Sequence, residues 1–81
     1  MGYYEEDSFI MDQNFIKDRI GQLVADSGKS EKQISLDLGH SVGYIQSLTS
    51  GKSMPSIQMV FQICEYFDIP ITDFFDPDIH H

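Results

Sequence analysis

Residues 31–50 decide the fold, and their sequence is EKQISLDLGHSVGYIQSLTS. Two runs within it, residues 31–38 and 41–49, carry apolar side chains at helical spacing. The residues expected to face inward are Ile34, Leu38, Ile45 and Leu48. Gly39 lies between the runs and can adopt the positive φ that a tight turn needs. Ser35 is small enough for a close crossing, so the stretch predicts two short helices packed at a steep angle across a turn.

The sequence predicts three further helices, one before this stretch and two after it. The first is expected to end near Gly28, the fourth to begin at Pro55–Ser56, and the fifth to be a short turn that contains Phe74 and Phe75. Side chains that can cap a helix precede four of the five helices: Asn14, Ser30, Ser41 and Thr72. The buried stripe of the first helix is expected to comprise Ile16, Ile20, Leu23 and Val24, and that of the fourth Ile57, Val60, Ile63, Cys64 and Phe67. No stretch has convincing strand periodicity, so the predicted fold class is all-α with five short helices.

Length and composition limit the classes of protein to which the chain can belong. Its 81 residues fit one small domain, with an acidic arm over residues 1–13, a helical domain over 14–76 and a tail over 77–81. The single cysteine, Cys64, cannot form an internal disulfide. No apolar stretch approaches the ~18 residues of a membrane span, and the acidic N-terminus lacks the order of a secretory signal. The expected location is therefore cytoplasmic.

The formal net charge of -8 is distributed unevenly. Residues 1–27 carry -4 and residues 56–81 carry -5, whereas residues 28–55 carry +1. The lysines of this middle segment flank the central helix pair: Lys29, Lys32 and Lys52. A nucleic-acid binder usually presents a positive surface because it displaces phosphate counterions. The acidity of the whole chain therefore argues against DNA, but the middle segment is the one part free of excess negative charge.

The central stretch and its surroundings resemble the phage-repressor or Xre-type helix-turn-helix family, from about Phe15 to Phe75. The resemblance depends on the Gly39 turn, the Ile45/Leu48 pair and several downstream motifs, namely Ser50-Gly51-Lys52, Pro55-Ser56, Ile63-Cys64-Glu65-Tyr66-Phe67-Asp68-Ile69 and Asp73-Phe74-Phe75. It implies a five-helix, lambda-repressor-like fold in which helix 31–38 crosses the DNA backbone and helix 41–49 enters the major groove. Because one such domain would read few bases, two copies on a two-fold DNA site are expected, so the predicted partner is a second copy of the chain in a homodimer.

The resemblance further implies which residues meet DNA. Those expected to contact base edges are Val42, Gly43, Gln46 and Ser47. Ser41, Tyr44, Ser50 and Lys52 are expected near phosphates, and Lys29 and Lys32 are expected there because they flank the helix pair in an acidic chain. Gln46 alone among the base-contact residues has an amide suited to the N6 and N7 atoms of adenine. No catalytic, metal or cofactor site is expected.

The chain departs from the family at three places. Glu31 occupies a position where the family usually has a glutamine that bonds a phosphate, and a carboxylate there would repel DNA. Val24 and Thr49 occupy the positions of a buried arginine and glutamate, which are therefore both missing. His40 follows the turn glycine, where an apolar residue is usual, and is expected to be a partly exposed turn residue.

The sequence is compatible with two functions. The first is a sequence-specific DNA-binding transcriptional regulator, dimerising through Phe61, Tyr66 or Phe75 or through the arm. The second is a protein-interaction module that keeps the fold but no longer binds DNA, which Glu31 and the acidity favour. An enzyme is not expected, because no histidine or cysteine has partners at a catalytic spacing and no glycine-rich phosphate loop precedes a helix.

Overall fold

A computed structural model describes residues 13–76 of the protein, apart from the side chain of Gln13. Five α-helices follow one another: α1 (Gln13–Ser27), α2 (Glu31–Asp37), α3 (Tyr44–Thr49), α4 (Ile57–Phe67) and α5 (Ile71–Phe74). There is no strand in this part of the chain, so the all-α class with five short helices is confirmed. The predicted arm up to residue 12 and the tail from residue 77 lie outside the described residues. Among the helices of residues 13–76, none has the length and apolar character needed to cross a bilayer.

One of the four predicted helix caps, Ser30, is confirmed as a hydrogen bond, and Ser56 caps α4 in the same way. The hydroxyl of Ser30 accepts from the backbone N–H of Gln33 at 3.0 Å, and that of Ser56 accepts from Met59 at 3.1 Å. Each bond satisfies one of the N–H groups that the first turn of a helix leaves without a partner. The starts of α2 and α4 are therefore fixed by their own sequence.

The other three predicted caps are wrong. Asn14 lies within α1, which begins at Gln13. Helix 41–49 is shorter than predicted, because α3 begins at Tyr44 and Ser41 contributes only its carbonyl, which accepts from Tyr44 N–H at 3.1 Å. The chain uses Ser41–Gly43 to complete the turn between the helices. Thr72 lies inside α5, which begins directly after Pro70, because the fixed φ of proline, here -66°, suits a helix entrance.

The core is formed by one cluster of apolar side chains drawn from all five helices. Its buried members are Ile16, Ile20, Leu23, Val24, Ile34, Ile45, Leu48, Met59, Val60, Ile63, Cys64 and Phe74. The predicted stripes are largely confirmed, with Leu38 and Phe67 partly buried at the edge. Ile57 is an exception, because its side chain is 62% exposed and Met59 fills the core at this end of α4. α3 packs on α1 and α2, and α5 packs on α4.

Arg19 is a buried charge that the sequence analysis did not single out. It is only 5% exposed, and its guanidinium donates to the carbonyl of Asp73 at 2.8 Å and to that of Asp76 at 2.6 Å. The same group lies 5.4 Å from the centre of the Phe15 ring. Arg19 thus donates to backbone carbonyls at the end of α5, where the last turn of a helix leaves carbonyls without the usual intrahelical donors. A signal was present, since Arg19 lies three residues after Ile16 on the apolar face.

Candidate nucleic-acid interface

The crossing of α2 and α3 is built around the hydroxyl of Ser35. This side chain is fully buried, donates to the carbonyl of Glu31 at 2.7 Å and accepts from the backbone N–H of Ile45 at 2.9 Å. Gly43, at the N-terminal cap position of α3, offers no side-chain bond. The cap that the sequence analysis assigned to Ser41 therefore comes in part from Ser35 on the neighbouring helix. This bond orients α3 relative to α2.

Ser35→Ala is expected to lower the free energy of unfolding by about 1–2 kcal/mol, because the buried N–H of Ile45 loses its acceptor. Urea denaturation followed by circular dichroism measures the change. Ser53→Ala is a matched control, since Ser53 is exposed. Equal stability of the two variants would show that the hydroxyl does not contribute.

The outward side of α3 is accessible, whereas its inward side is anchored. Ile45 and Leu48 are buried, while Gln46 is exposed. Val42, which is 50% exposed, and the exposed Gly43 lie in the turn just before α3. The structure thus brings three of the predicted base-contact residues together at and before the start of one helix. The fourth, Ser47, is half-buried, and its hydroxyl donates to the carbonyl of Tyr44 at 2.6 Å.

Most of the residues predicted to contact phosphates are exposed. Lys32 lies on α2, and the others lie in or beside the turns that flank α3: Ser41, Ser50 and Lys52. Tyr44, the first residue of α3, is half-buried, and burial raises the pKa of its phenol. The phenol therefore stays neutral at physiological pH and keeps its hydrogen as a donor.

Lys29 lies in a polar cluster that joins α2 to α4. Its ammonium donates to the hydroxyl of Tyr66 at 3.0 Å and lies 3.9 Å from the carboxylate of Asp37. The Tyr66 hydroxyl donates to Asp37 at 2.6 Å, and Gln33 donates to the same carboxylate at 2.7 Å. The bond with Tyr66 raises the pKa of Lys29, and the bonds from Tyr66 and Gln33 lower the pKa of Asp37. Lys29 thus already has intramolecular partners, whereas a lysine that served only to contact a phosphate would have none.

Glu31, the residue that departs from the family, has a partner within the fold. The hydroxyl of Thr49 donates to a carboxylate oxygen of Glu31 at 2.6 Å. This bond links the first residue of α2 to the last residue of α3. Glu31 and Thr49, which occupy two positions at which the chain departs from the family, therefore contact each other here.

Lys17 is a cation that the sequence analysis did not place near the interface. Its side-chain Cδ packs against Gly51, 3.4 Å from the position that a side-chain carbon of residue 51 would occupy. Gly51 has a φ of +84° and directly precedes Lys52. A residue of α1 therefore lies beside the loop that follows α3. No local sequence pattern predicts this contact, because it forms only when the helices have packed.

His40 and Tyr44 form a parallel ring pair at the entrance to α3. Their ring centres are 3.9 Å apart, and the planes differ by 11°. The backbone N–H of His40 donates to the carbonyl of Ser35 at 2.9 Å, while the residue as a whole is exposed. His40, at a position that is usually apolar in the family, is thus held at the surface by its backbone hydrogen bond to Ser35 and by the stack on Tyr44. Among residues 13–76, it is not part of any cluster of three potential metal ligands.

The comparison with known families agrees with this geometry. A family model described as helix-turn-helix matches residues 20–74, which include all of α2, α3, α4 and α5. No curated protein and no solved structure matches the chain. The chain belongs to the Xre- and lambda-repressor-like helix-turn-helix family, a class of DNA-binding regulators.

Proposed function

We propose that the protein is a sequence-specific transcriptional regulator that inserts α3 and the preceding turn into the DNA major groove. The observation that supports this most is the division of α3 into two sides. Ile45 and Leu48 hold one side in the core, while Gln46 on the other side is exposed. A helix of this kind, presented at the surface with its N-terminal end accessible, is the element that helix-turn-helix proteins place against base edges.

The charge distribution supports the same face. Lys32 and Lys52 are exposed on the elements that flank α3, and Lys17 lies beside the loop that contains Lys52. These features give an acidic chain an edge at which it can approach phosphates.

Titration against random-pool DNA, followed by selection of the bound duplexes, tests the proposed function. We expect log affinity to fall linearly with log salt concentration, and to be higher for the selected duplex than for unrelated sequences. If no duplex binds at low salt, the protein is an interaction module of the same fold, and the proposal is wrong.

Two substitutions are expected to act differently on DNA binding. Gln46→Ala should relax the preference at one base pair by about 1–3 kcal/mol, because a bidentate amide contact is lost. Lys52→Glu should weaken binding to all sequences alike and reduce the salt slope by about 0.9 for the lost phosphate contact. Anisotropy titrations on the selected duplex and its single-base variants measure both. The assigned face is wrong if neither variant changes the affinity.

We further propose that two copies associate through the outer side of α4, so that each reads one half of a two-fold site. Ile57 and Phe61 are 62% and 53% exposed on this helix, and Phe61 borders an open groove of about 470 Å³ that continues to Ile69 and Ile71. Residues 56–64 carry no charged side chain. Because the chain as a whole has a net charge of -8, this surface, where Glu65 is the single charged residue of the groove lining, is one at which a second acidic copy meets little repulsion.

Phe61→Glu is expected to abolish self-association, because a two-fold contact would place two like charges against each other. Analytical ultracentrifugation, with and without the selected duplex, measures the mass. Ala25→Glu introduces the same charge at an exposed position of α1 and should leave the dimer intact. A wild-type protein that remains monomeric on DNA would contradict the proposed contact.

A further inference from the structure

The ring pair of His40 and Tyr44 lies where the proposed docking brings the protein closest to DNA. Tyr44 is the first residue of α3, and the turn of Ser41–Gly43 separates it from His40. His40 is exposed, yet its position is constrained by the stack on Tyr44 and by the backbone bond to Ser35. A surface side chain held in this way loses little conformational entropy when it contacts a ligand.

We propose that His40 is a proton-dependent contact to the DNA backbone, whose imidazole donates to a phosphate and carries a positive charge in its protonated form. This inference rests on the proposed function. Histidine generally changes its charge between about pH 5 and 8. In the protonated form, both ring nitrogens are hydrogen-bond donors. Protonation of His40 would raise the net charge of residues 28–55 from the +1 counted with neutral histidine to +2. For so weakly cationic a surface, one added charge is a large relative change.

The ionisable groups around His40 leave this charge free to act on DNA. The phenol of Tyr44 is neutral across this pH range, since burial raises its pKa, and its ring face can still hold a protonated imidazole through cation–π attraction. Asp37, three residues before His40, already accepts hydrogen bonds from Gln33 and Tyr66 and lies 3.9 Å from Lys29. The carboxylate nearest along α2 is therefore engaged with other groups.

The direction of the pH effect follows from linkage. DNA binds the protonated form of His40 more tightly, so binding favours uptake of a proton and affinity rises as pH falls. One added phosphate contact also steepens the plot of log affinity against log salt by about 0.9. Affinity and salt slope should therefore change together.

Anisotropy titrations of the full chain with its selected duplex, at about pH 5.5 and pH 8 and at several salt concentrations, test the inference. His40→Phe keeps a stacked ring without a titrating group, and every other ionisable group is unchanged. On lowering the pH, we expect the wild-type protein to gain roughly three- to tenfold more affinity than this variant, and its salt slope alone to steepen. Circular dichroism at both pH values verifies that each protein is folded.

The outcomes separate this inference from the function on which it rests. If the wild-type protein and His40→Phe bind DNA with the same pH dependence, the inference is overturned while the proposed function stands. If the wild-type protein binds no duplex at either pH, both are overturned. A second variant, His40→Gln, retains a neutral N–H donor but cannot gain a charge, so its affinity should depend on pH no more than that of His40→Phe.

Discussion

Arg19→Met is expected to lower the free energy of unfolding by about 2–4 kcal/mol, and Tm by about 4–8 °C for each kcal/mol. The guanidinium is buried and donates to the carbonyls of Asp73 and Asp76 at the end of α5. Methionine fills similar space but donates no hydrogen bond, so both carbonyls lose this donor. Thermal and urea denaturation measure the loss.

Two further variants define what Arg19 contributes. Arg19→Lys keeps the charge and the apolar stem, but one ammonium cannot match the forked geometry of a guanidinium, so we expect an intermediate loss. Lys32→Met is the matched surface control, because Lys32 is exposed on α2. Because arginine remains charged at all accessible pH values, the loss should be the same at pH 5.5 and pH 8. A variant Arg19→Met as stable as Lys32→Met would contradict this account.

Phe74→Ala is expected to destabilise the protein by about 3–5 kcal/mol, which for a small domain is a large fraction of its total stability. Phe74 is fully buried and packs edge-on against Phe75 with ring centres 5.0 Å apart. It is the one fully buried side chain of α5, a helix of only four residues. Its removal would leave a cavity that so short a helix is poorly able to fill.

Urea denaturation of dilute protein measures the effect of Phe74→Ala. Phe61→Ala deletes the same atoms from an exposed position and should cost far less. Because Phe74 and Arg19 both hold α5, their combined substitution should be less damaging than the sum of the two losses. A Phe74→Ala protein with the stability of Phe61→Ala would show that α5 does not close the core.

The longer helices were predictable because their apolar periodicity is strong. The stripes of α1 and α4 led to the correct core residues, with the exceptions of Ile57 and Met59. The short helices were harder to delimit, because a few residues carry little periodicity and a capping side chain can come from elsewhere. The start of α3 depends on the hydroxyl of Ser35, ten residues before Ile45, whose N–H donates to it, and the start of α5 depends on the backbone of Pro70.

The contacts around the interface show a similar limit. The sequence indicated which segment is free of excess negative charge, and the family match agrees with the helix pair. It did not reveal that Thr49 bonds Glu31, that Lys17 reaches Gly51, or that Arg19 reaches α5. Each of these contacts joins residues far apart in the chain, so none follows from local spacing.

The two bonds that tie α3 to α2 have a consequence for how recognition is achieved. Ser35 holds one end of α3 through Ile45, and Glu31 holds the other end through Thr49. A helix bonded at both ends has little freedom to rotate or slide, so under the proposed function the helix that reads DNA is preorganised before DNA binds. Selectivity would then depend on the side chains that this rigid unit displays rather than on induced fit, and altering one such side chain should retune the target without rebuilding the domain.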